Sequence, residues 1–122
     1  MKTLGLVEVI FYVKDMNKMV QFYRDTLDLP LSNQDIRDHA NEDWVTYESG
    51  NCRLALHSGG NGNVGKDAPK IVFRVQDINS ARFQLLELGV AASEIRSPAP
   101  GIFVCDAKDP EGNPFSIEQQ DI

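Results

Sequence analysis

The residues best suited to chemistry occupy matching positions in the two halves of this 122-residue chain. Glu8 corresponds to Lys70, 62 positions later, so a carboxylate in one half stands where the other half has an ammonium group. His57 corresponds to Glu118 at an offset of 61. Together Glu8, His57 and Glu118 offer one imidazole and two carboxylates, a donor set suited to Zn²⁺, Ni²⁺, Mn²⁺ or Fe²⁺. Lys70 argues against an ion nearby, because a protonated amine repels a cation.

These correspondences follow from an internal repeat. The segment that begins at Glu8 returns at Lys70, and the matched pairs include Val9/Ile71, Phe11/Phe73, Val13/Val75, Asp15/Asp77 and Asn17/Asn79. Two copies of one supersecondary unit predict a pseudo-twofold structure, and a ligand site is expected where the copies meet. The chain therefore reads as one domain, with a first module at about 4–58, a linker at 59–68 and a second module at about 69–120.

Each module opens with a strand and an amphipathic helix. Val9, Phe11 and Val13 alternate with Glu8, Ile10 and Tyr12, which predicts a strand whose row of Val9, Phe11 and Val13 covers the helix. Asp15 has the chemistry of a helix N-cap, and an apolar face then continues to Leu27. Two further strands are predicted at Trp44–Glu48 and Cys52–Ser58, after a polar loop.

The second module repeats this order. Asp77 caps a helix that ends near Gly89, and strands follow at about Ile102–Ala107 and through Ser116 and Glu118. The segment Ser97–Gly101 is predicted to be a loop, either covering a pocket or simply connecting two elements. The predicted fold class is α+β, with two tandem β-α-β-β-β modules.

Composition narrows the functional classes. Twelve basic and eighteen acidic residues give a net charge of −6, which disfavours nucleic-acid and anionic-membrane partners. The two cysteines, Cys52 and Cys105, show no metal-binding or redox spacing, so they are expected to be reduced in a cytoplasmic protein. No apolar run is long enough to span a bilayer.

The chain resembles the vicinal oxygen chelate superfamily, which includes glyoxalase I, bleomycin-resistance proteins and extradiol dioxygenases. The resemblance covers essentially the whole chain and is carried by the segments Val13–Met16, Phe22–Tyr23 and Asp109–Asn113. It implies curled mixed sheets around a cleft between the modules, and a homodimer.

The resemblance also implies where a metal would bind. Family members place ligands on the first and last strand of each half, at positions that map to Glu8, Ala55, Lys70 and Ser116. Only Glu8 is an ordinary ligand for a divalent cation. The hypothesis is that Lys70 replaces the metal and pairs with Glu8, either as a structural tie or as a ligand contact.

Two functions remain open. The first is metal-free binding or sequestration of a small molecule without a cofactor, similar to the bleomycin-resistance branch, with ligand contacts from Glu8, Tyr12, His57, Lys70, Arg74, Ser116 and Glu118. Ile10, Val72, Phe103 and Cys105 are further cleft-facing candidates. The alternative is an enzyme: a metal-dependent lyase or dioxygenase with a displaced site at Glu8, His57 and Glu118, or a metal-free enzyme that uses Lys70 or His57 in proton transfer.

Overall fold

Each half of the chain folds as a small mixed sheet with helical structure packed on one face. The computed structural model describes residues 2, 4, 6, 8–32, 42–60, 65 and 68–121. The chain divides into Met1–Val64, here unit 1, and Gly65–Ile122, here unit 2. The predicted polar loop and linker fall largely outside the described residues. The predicted α+β fold of two related modules is confirmed.

The described residues of unit 1 form three strands and one helical segment: β1 (Glu8–Val13), α1 (Met16–Gln21) with a π-helical continuation (Phe22–Thr26), β2 (Trp44–Ser49) and β3 (Cys52–Ser58). The strand order is β1-β3-β2, with β1 parallel and β2 antiparallel to β3. Leu31 adds a single antiparallel bridge to Tyr47 of β2.

In unit 2, the part of the chain that the structure describes forms four strands and one helix: β4 (Ile71–Arg74), α2 (Ile78–Glu87), β5 (Arg96–Ala99), β6 (Ile102–Lys108) and β7 (Pro114–Gln120). The order is β4-β7-β6-β5, with β4 parallel to β7 and the other pairs antiparallel. The predicted loop at Ser97–Gly101 was wrong over its first part, because Arg96–Ala99 pairs with β6 as an edge strand.

Short-range chemistry fixes the helix ends. Asp15 and Asp77 each accept a hydrogen bond from a first-turn amide, of Lys18 and Ser80 respectively, at 3.1 Å. Both predicted N-caps are therefore confirmed. Gly89 has φ +81° directly after α2, and the following Val90 amide donates to Leu85 O at 2.9 Å, a backbone arrangement that glycine adopts without strain.

The helices cover one face of each sheet. In unit 1 the apolar row of β1 is buried, with Phe11 5% and Val13 1% exposed, while Tyr12 on the opposite row is 58% exposed. In unit 2, α2 packs on β6 and β7 and buries Ile78 and Leu85. The predicted alternation in β1 is confirmed, and it leaves one helix-free face on the sheet of each unit.

Candidate functional site

The helix-free face of unit 1 carries three rows of side chains set by the strand register. Each row contains one residue from β1, one from β3 and one from β2, paired in register. The rows are Tyr12, His57 and Trp44; Ile10, Ala55 and Thr46; and Glu8, Arg53 and Glu48. Residues paired across neighbouring strands share a face of the sheet. The face is therefore aromatic at one end, small or aliphatic in the middle and charged at the other end.

The aromatic end, here the aromatic row, consists of Tyr12, His57 and Trp44. The His57 ring lies between the other two, with centroid distances of 5.1 Å to Tyr12 and 5.6 Å to Trp44. Tyr12 is 58% exposed and Trp44 40% exposed. The register of β2 and β3 sets Trp44 opposite His57 and so places it in this row.

A backbone contact fixes the tautomer of His57. Its Nδ1 lies 2.6 Å from the carbonyl oxygen of Ser58. Because a carbonyl oxygen can only accept, Nδ1 must carry the hydrogen, and in the neutral ring Nε2 then holds the free lone pair. Ser58 is itself held by Asp43, through its amide at 3.0 Å and its hydroxyl at 2.9 Å. The imidazole is thus an oriented hydrogen-bond acceptor.

The charged end of the same face holds Glu8. Its carboxylate lies 3.6 Å from Nε of Arg53, its neighbour in the register. Glu48, on the far side of Arg53, accepts a hydrogen bond from the Ser32 hydroxyl at 2.9 Å. Nothing in the sequence pattern indicated Arg53 as a partner for Glu8. The predicted pairing of Glu8 with Lys70 stays a prediction.

The helix-free face of unit 2 centres on a group of four side chains, here the Asp106 cluster: Lys70, Arg96, Asp106 and Ser116. The Asp106 carboxylate lies 2.7 Å from Lys70 Nζ and 3.1 Å from Arg96 Nη2. It also accepts the hydroxyl of Ser116 at 2.5 Å. Ser116 is fully buried, whereas the two cations are about half exposed. Lys70, which the sequence marked as unusual, is therefore neutralised within its own unit.

This environment changes the titration of Asp106. The hydrogen bond from Lys70 lowers its pKa most, the Ser116 hydroxyl lowers it further, and the positive charge of Arg96 acts in the same direction. The ionised form is favoured because all three groups interact better with a carboxylate than with a carboxylic acid. Asp106 was missed in the sequence, although its register opposite Ser116, counted across the turn at Asp109, would have identified it.

Arg74 and Glu118 lie opposite each other on the same face of unit 2. Glu118 accepts a hydrogen bond from the Gln120 amide at 2.7 Å. Within the described part of the chain, Arg74 forms no ion pair, and it is exposed. Both residues therefore remain candidates for ligand contact.

Two other predicted cleft residues lie on the opposite face. Cys105 pairs in register with Ile117 and is 1% exposed, with its thiol 3.2 Å from Ser93 O. Phe103, two residues earlier on β6, lines a groove of about 370 Å³ together with Ile78 of α2. Their assignment to the helix-free face was wrong, because the turn before β7 sets the opposite alternation in β6.

The resemblance to the vicinal oxygen chelate superfamily implies four metal-ligand positions, and three of them do not suit a metal ion in this chain. Ala55 has no donor atom, the Lys70 ammonium is bonded to Asp106, and the Ser116 hydroxyl donates to the same carboxylate. The alternative metal site would combine Glu8, His57 and Glu118. His57 lies opposite Tyr12, and Glu8 is four residues from Tyr12, or about 13 Å along the strand. Among the described residues, no group of three or more His, Cys, Asp or Glu side chains is placed to hold a metal ion.

Residues 8–118 match the model of a family described as the glyoxalase-like domain. The chain belongs to this family. The resemblance to the vicinal oxygen chelate superfamily is thereby confirmed. A comparison with curated proteins found no significant match to this glyoxalase-like chain. None of the helices in the described residues has the length and apolar character needed to cross a membrane.

Solved structures share the fold over nearly the whole chain. TnmS3, an antibiotic binding protein from Streptomyces sp. CB03234, superposes with a TM-score of 0.79 at 20% identity, covering 98% of both chains. A lactoylglutathione lyase from Agrobacterium tumefaciens gives 0.75 at 17% identity, covering 97% of this chain and 95% of the other. The fosfomycin resistance protein FosX from Mesorhizobium loti gives 0.73 at 15%, covering 99% and 96%. At these identities the likeness shows a common fold.

Proposed function

We propose that this glyoxalase-like protein binds and sequesters a small planar organic molecule without a metal. The observation that carries the proposal is the aromatic row, in which Tyr12 and Trp44 expose large ring surfaces on a helix-free sheet face. Ring pairs contribute about 0.5–1.5 kcal/mol beyond area burial. A planar ligand that covers the aromatic row would gain contact with all three rings while the sheet holds them in place.

The middle of the same face supports a flat ligand. Ala55 is buried and small, and it lies between Ile10, which is 41% exposed, and the half-buried Thr46. A ligand that extends from the aromatic row toward Arg53 would therefore pass over a low, mostly apolar surface. The Glu8–Arg53 pair at the far end would provide polar contacts to a substituent.

The chemistry of unit 2 supports binding without a metal. An ammonium group held at 2.7 Å from a carboxylate occupies a position at which the family places a metal ligand. We propose Lys70, Arg74 and Glu118 as polar contacts on this face. Ser116 is fully buried and its hydroxyl is used by Asp106, so we assign it the role of holding that carboxylate.

Two neighbours carry names that agree with ligand binding, namely an antibiotic binding protein and a fosfomycin resistance protein. We further propose that the protein acts as a homodimer in the cytoplasm. Cys52 and Cys105 form no disulfide, which suits a reducing compartment.

Binding of naphthol methyl ether, measured by isothermal titration calorimetry, tests the proposal. This probe is planar and cannot donate a hydrogen bond. Saturable binding is expected, and Tyr12→Ala and Trp44→Ala should each weaken it by about tenfold, the equivalent of one lost ring contact. Phe83→Ala is the matched control, because Phe83 is a 62% exposed aromatic residue on α2. Absence of saturable binding of both this ether and the parent naphthol, or equal losses in all three variants, would overturn the proposal.

A further inference from the structure

We infer that His57 selects, among planar ligands, those that carry a hydrogen-bond donor such as a phenolic hydroxyl, which its Nε2 accepts. The inference rests on the proposed function, since it concerns the ligand of the aromatic row. It names the ligand class and the residue that discriminates within that class.

The first step is the orientation of the acceptor. The contact of 2.6 Å between Nδ1 and Ser58 O commits the Nδ1 hydrogen to the backbone. In the neutral ring, Nε2 is then an acceptor with no hydrogen to give. Within the described part of the chain, the only hydrogen bond of the imidazole is the one to Ser58, so Nε2 has no protein donor.

The other two members of the aromatic row also carry polar atoms. The indole N–H of Trp44 can only donate, and the hydroxyl of Tyr12 can both donate and accept. Neither group therefore favours a ligand that carries a donor. The indole cannot accept a hydrogen bond, and the tyrosine hydroxyl can pair with a donor or an acceptor equally well. In the neutral ring of His57, the polar atom that faces no protein partner, Nε2, can only accept.

A ligand without a hydrogen-bond donor would leave Nε2 of His57 unsatisfied. His57 is partly buried between two rings, at centroid distances of 5.1 and 5.6 Å. A planar ligand over the aromatic row would remove water from Nε2. A buried acceptor without a donor costs more than a single hydrogen bond contributes, so a ligand that lacks the donor is disfavoured.

The experiment compares naphthol with naphthol methyl ether, two probes of nearly equal ring area that differ in the ability to donate. Calorimetry at about pH 7.5 keeps the phenol of the probe neutral, so that its hydroxyl can donate. The wild-type protein should bind naphthol about tenfold more tightly than the ether.

Two variants assign the preference to His57. His57→Phe keeps a ring in the aromatic row but has no acceptor, so the ratio of the two dissociation constants should fall to about one. His57→Gln retains an acceptor oxygen and should keep part of the preference. Far-ultraviolet circular dichroism of both variants verifies that the sheet is intact.

The outcomes separate the two proposals. Equal binding of naphthol and its ether by the wild-type protein would overturn the role of His57 and leave the aromatic row as a binding surface. A preference that persists in His57→Phe would also overturn it, since the donor would then be recognised elsewhere. Binding of neither probe would overturn the proposed function and this inference together.

Discussion

Replacing Asp106 with alanine should destabilise unit 2, because three side chains depend on its carboxylate. Lys70 and Arg96 lie 2.7 and 3.1 Å from it, and the buried Ser116 hydroxyl donates to it at 2.5 Å. In the Asp106→Ala variant, Ser116 would be left fully buried without its acceptor, and the two cations would face each other without a counter-ion.

The magnitude follows from the exposure of each partner. A buried hydrogen bond to a charged group contributes about 1.5–3 kcal/mol. The two ion pairs are about half exposed, so each adds only about 0.2–1 kcal/mol. We expect the free energy of unfolding to fall by about 2–5 kcal/mol in Asp106→Ala. Asp106→Asn keeps an acceptor for Ser116 and should lose about 1 kcal/mol.

Urea unfolding followed by circular dichroism measures these differences. Circular dichroism is required because Trp44, the only tryptophan, lies in unit 1 and would not report directly on unit 2. Glu94→Ala is the matched control: Glu94 also pairs with an arginine, Arg82, at 3.4 Å, but is 94% exposed. Glu94→Ala should lower the free energy of unfolding by less than about 0.5 kcal/mol.

The pH dependence provides a second test. The pKa of Asp106 is lowered from its ordinary value of 3.8, so its ionised form stabilises the folded state. That contribution is present above the ordinary pKa and is lost as the pH falls through the lowered value. The stability difference between wild type and Asp106→Asn should therefore be constant near neutral pH and shrink below about pH 3.8. Equal losses in Asp106→Ala and Glu94→Ala, or no shrinkage in acid, would refute the reasoning.

Three further predictions concern other parts of the chain. Tyr47→Phe removes a buried hydroxyl that donates to Val20 O at 2.8 Å, so the urea midpoint should fall by the equivalent of about 1–2 kcal/mol; an unchanged midpoint would contradict this. Asp109→Ala removes the acceptor of the Glu111 and Asn113 amides, both at 2.9 Å, and should lower the melting temperature more than Glu111→Ala does. Protein purified without chelators should contain far less than stoichiometric metal by elemental analysis, and divalent cations should leave its melting temperature unchanged; near-stoichiometric metal would contradict the proposed metal-free site.

The features that could be predicted from the sequence are those set by local spacing. The burial of Phe11 and Val13 and the exposure of Tyr12 follow from a two-residue alternation, and the N-caps at Asp15 and Asp77 follow from one side chain and the next turn. These depend on interactions between residues close in the chain, so the pattern alone determines them.

The first helix shows where local spacing fails. Its apolar face predicted a helix continuing to Leu27, but the α-helical winding ends at Gln21 and a π-helical turn follows. The apolar residues at Tyr23 and Leu27 suit either winding. The hydroxyl of Tyr47 bonds to Val20 O at this change of winding, and that contact comes from a strand 27 residues away, which no local pattern reveals.

Register explains the remaining differences. Phe103 and Cys105 were assigned, and Asp106 was missed, because the pairing of β6 with β7 was not known. An error of one residue in register moves every side chain to the opposite face. Strand β5 was predicted as a loop because the composition around Pro98 is typical of loops. In the structure all of its residues are exposed. An edge strand tolerates proline, since one side of its backbone has no partner strand.

The exposure of the aromatic row has a consequence for how the protein can evolve. Because Tyr12 and Trp44 are largely exposed, exchanging them should cost little folding stability. The Asp106 cluster, by contrast, is tied to a fully buried serine. Under the proposed function, exchanging rings of the aromatic row could therefore change ligand affinity at little cost in folding stability, whereas exchanges within the Asp106 cluster should lower stability.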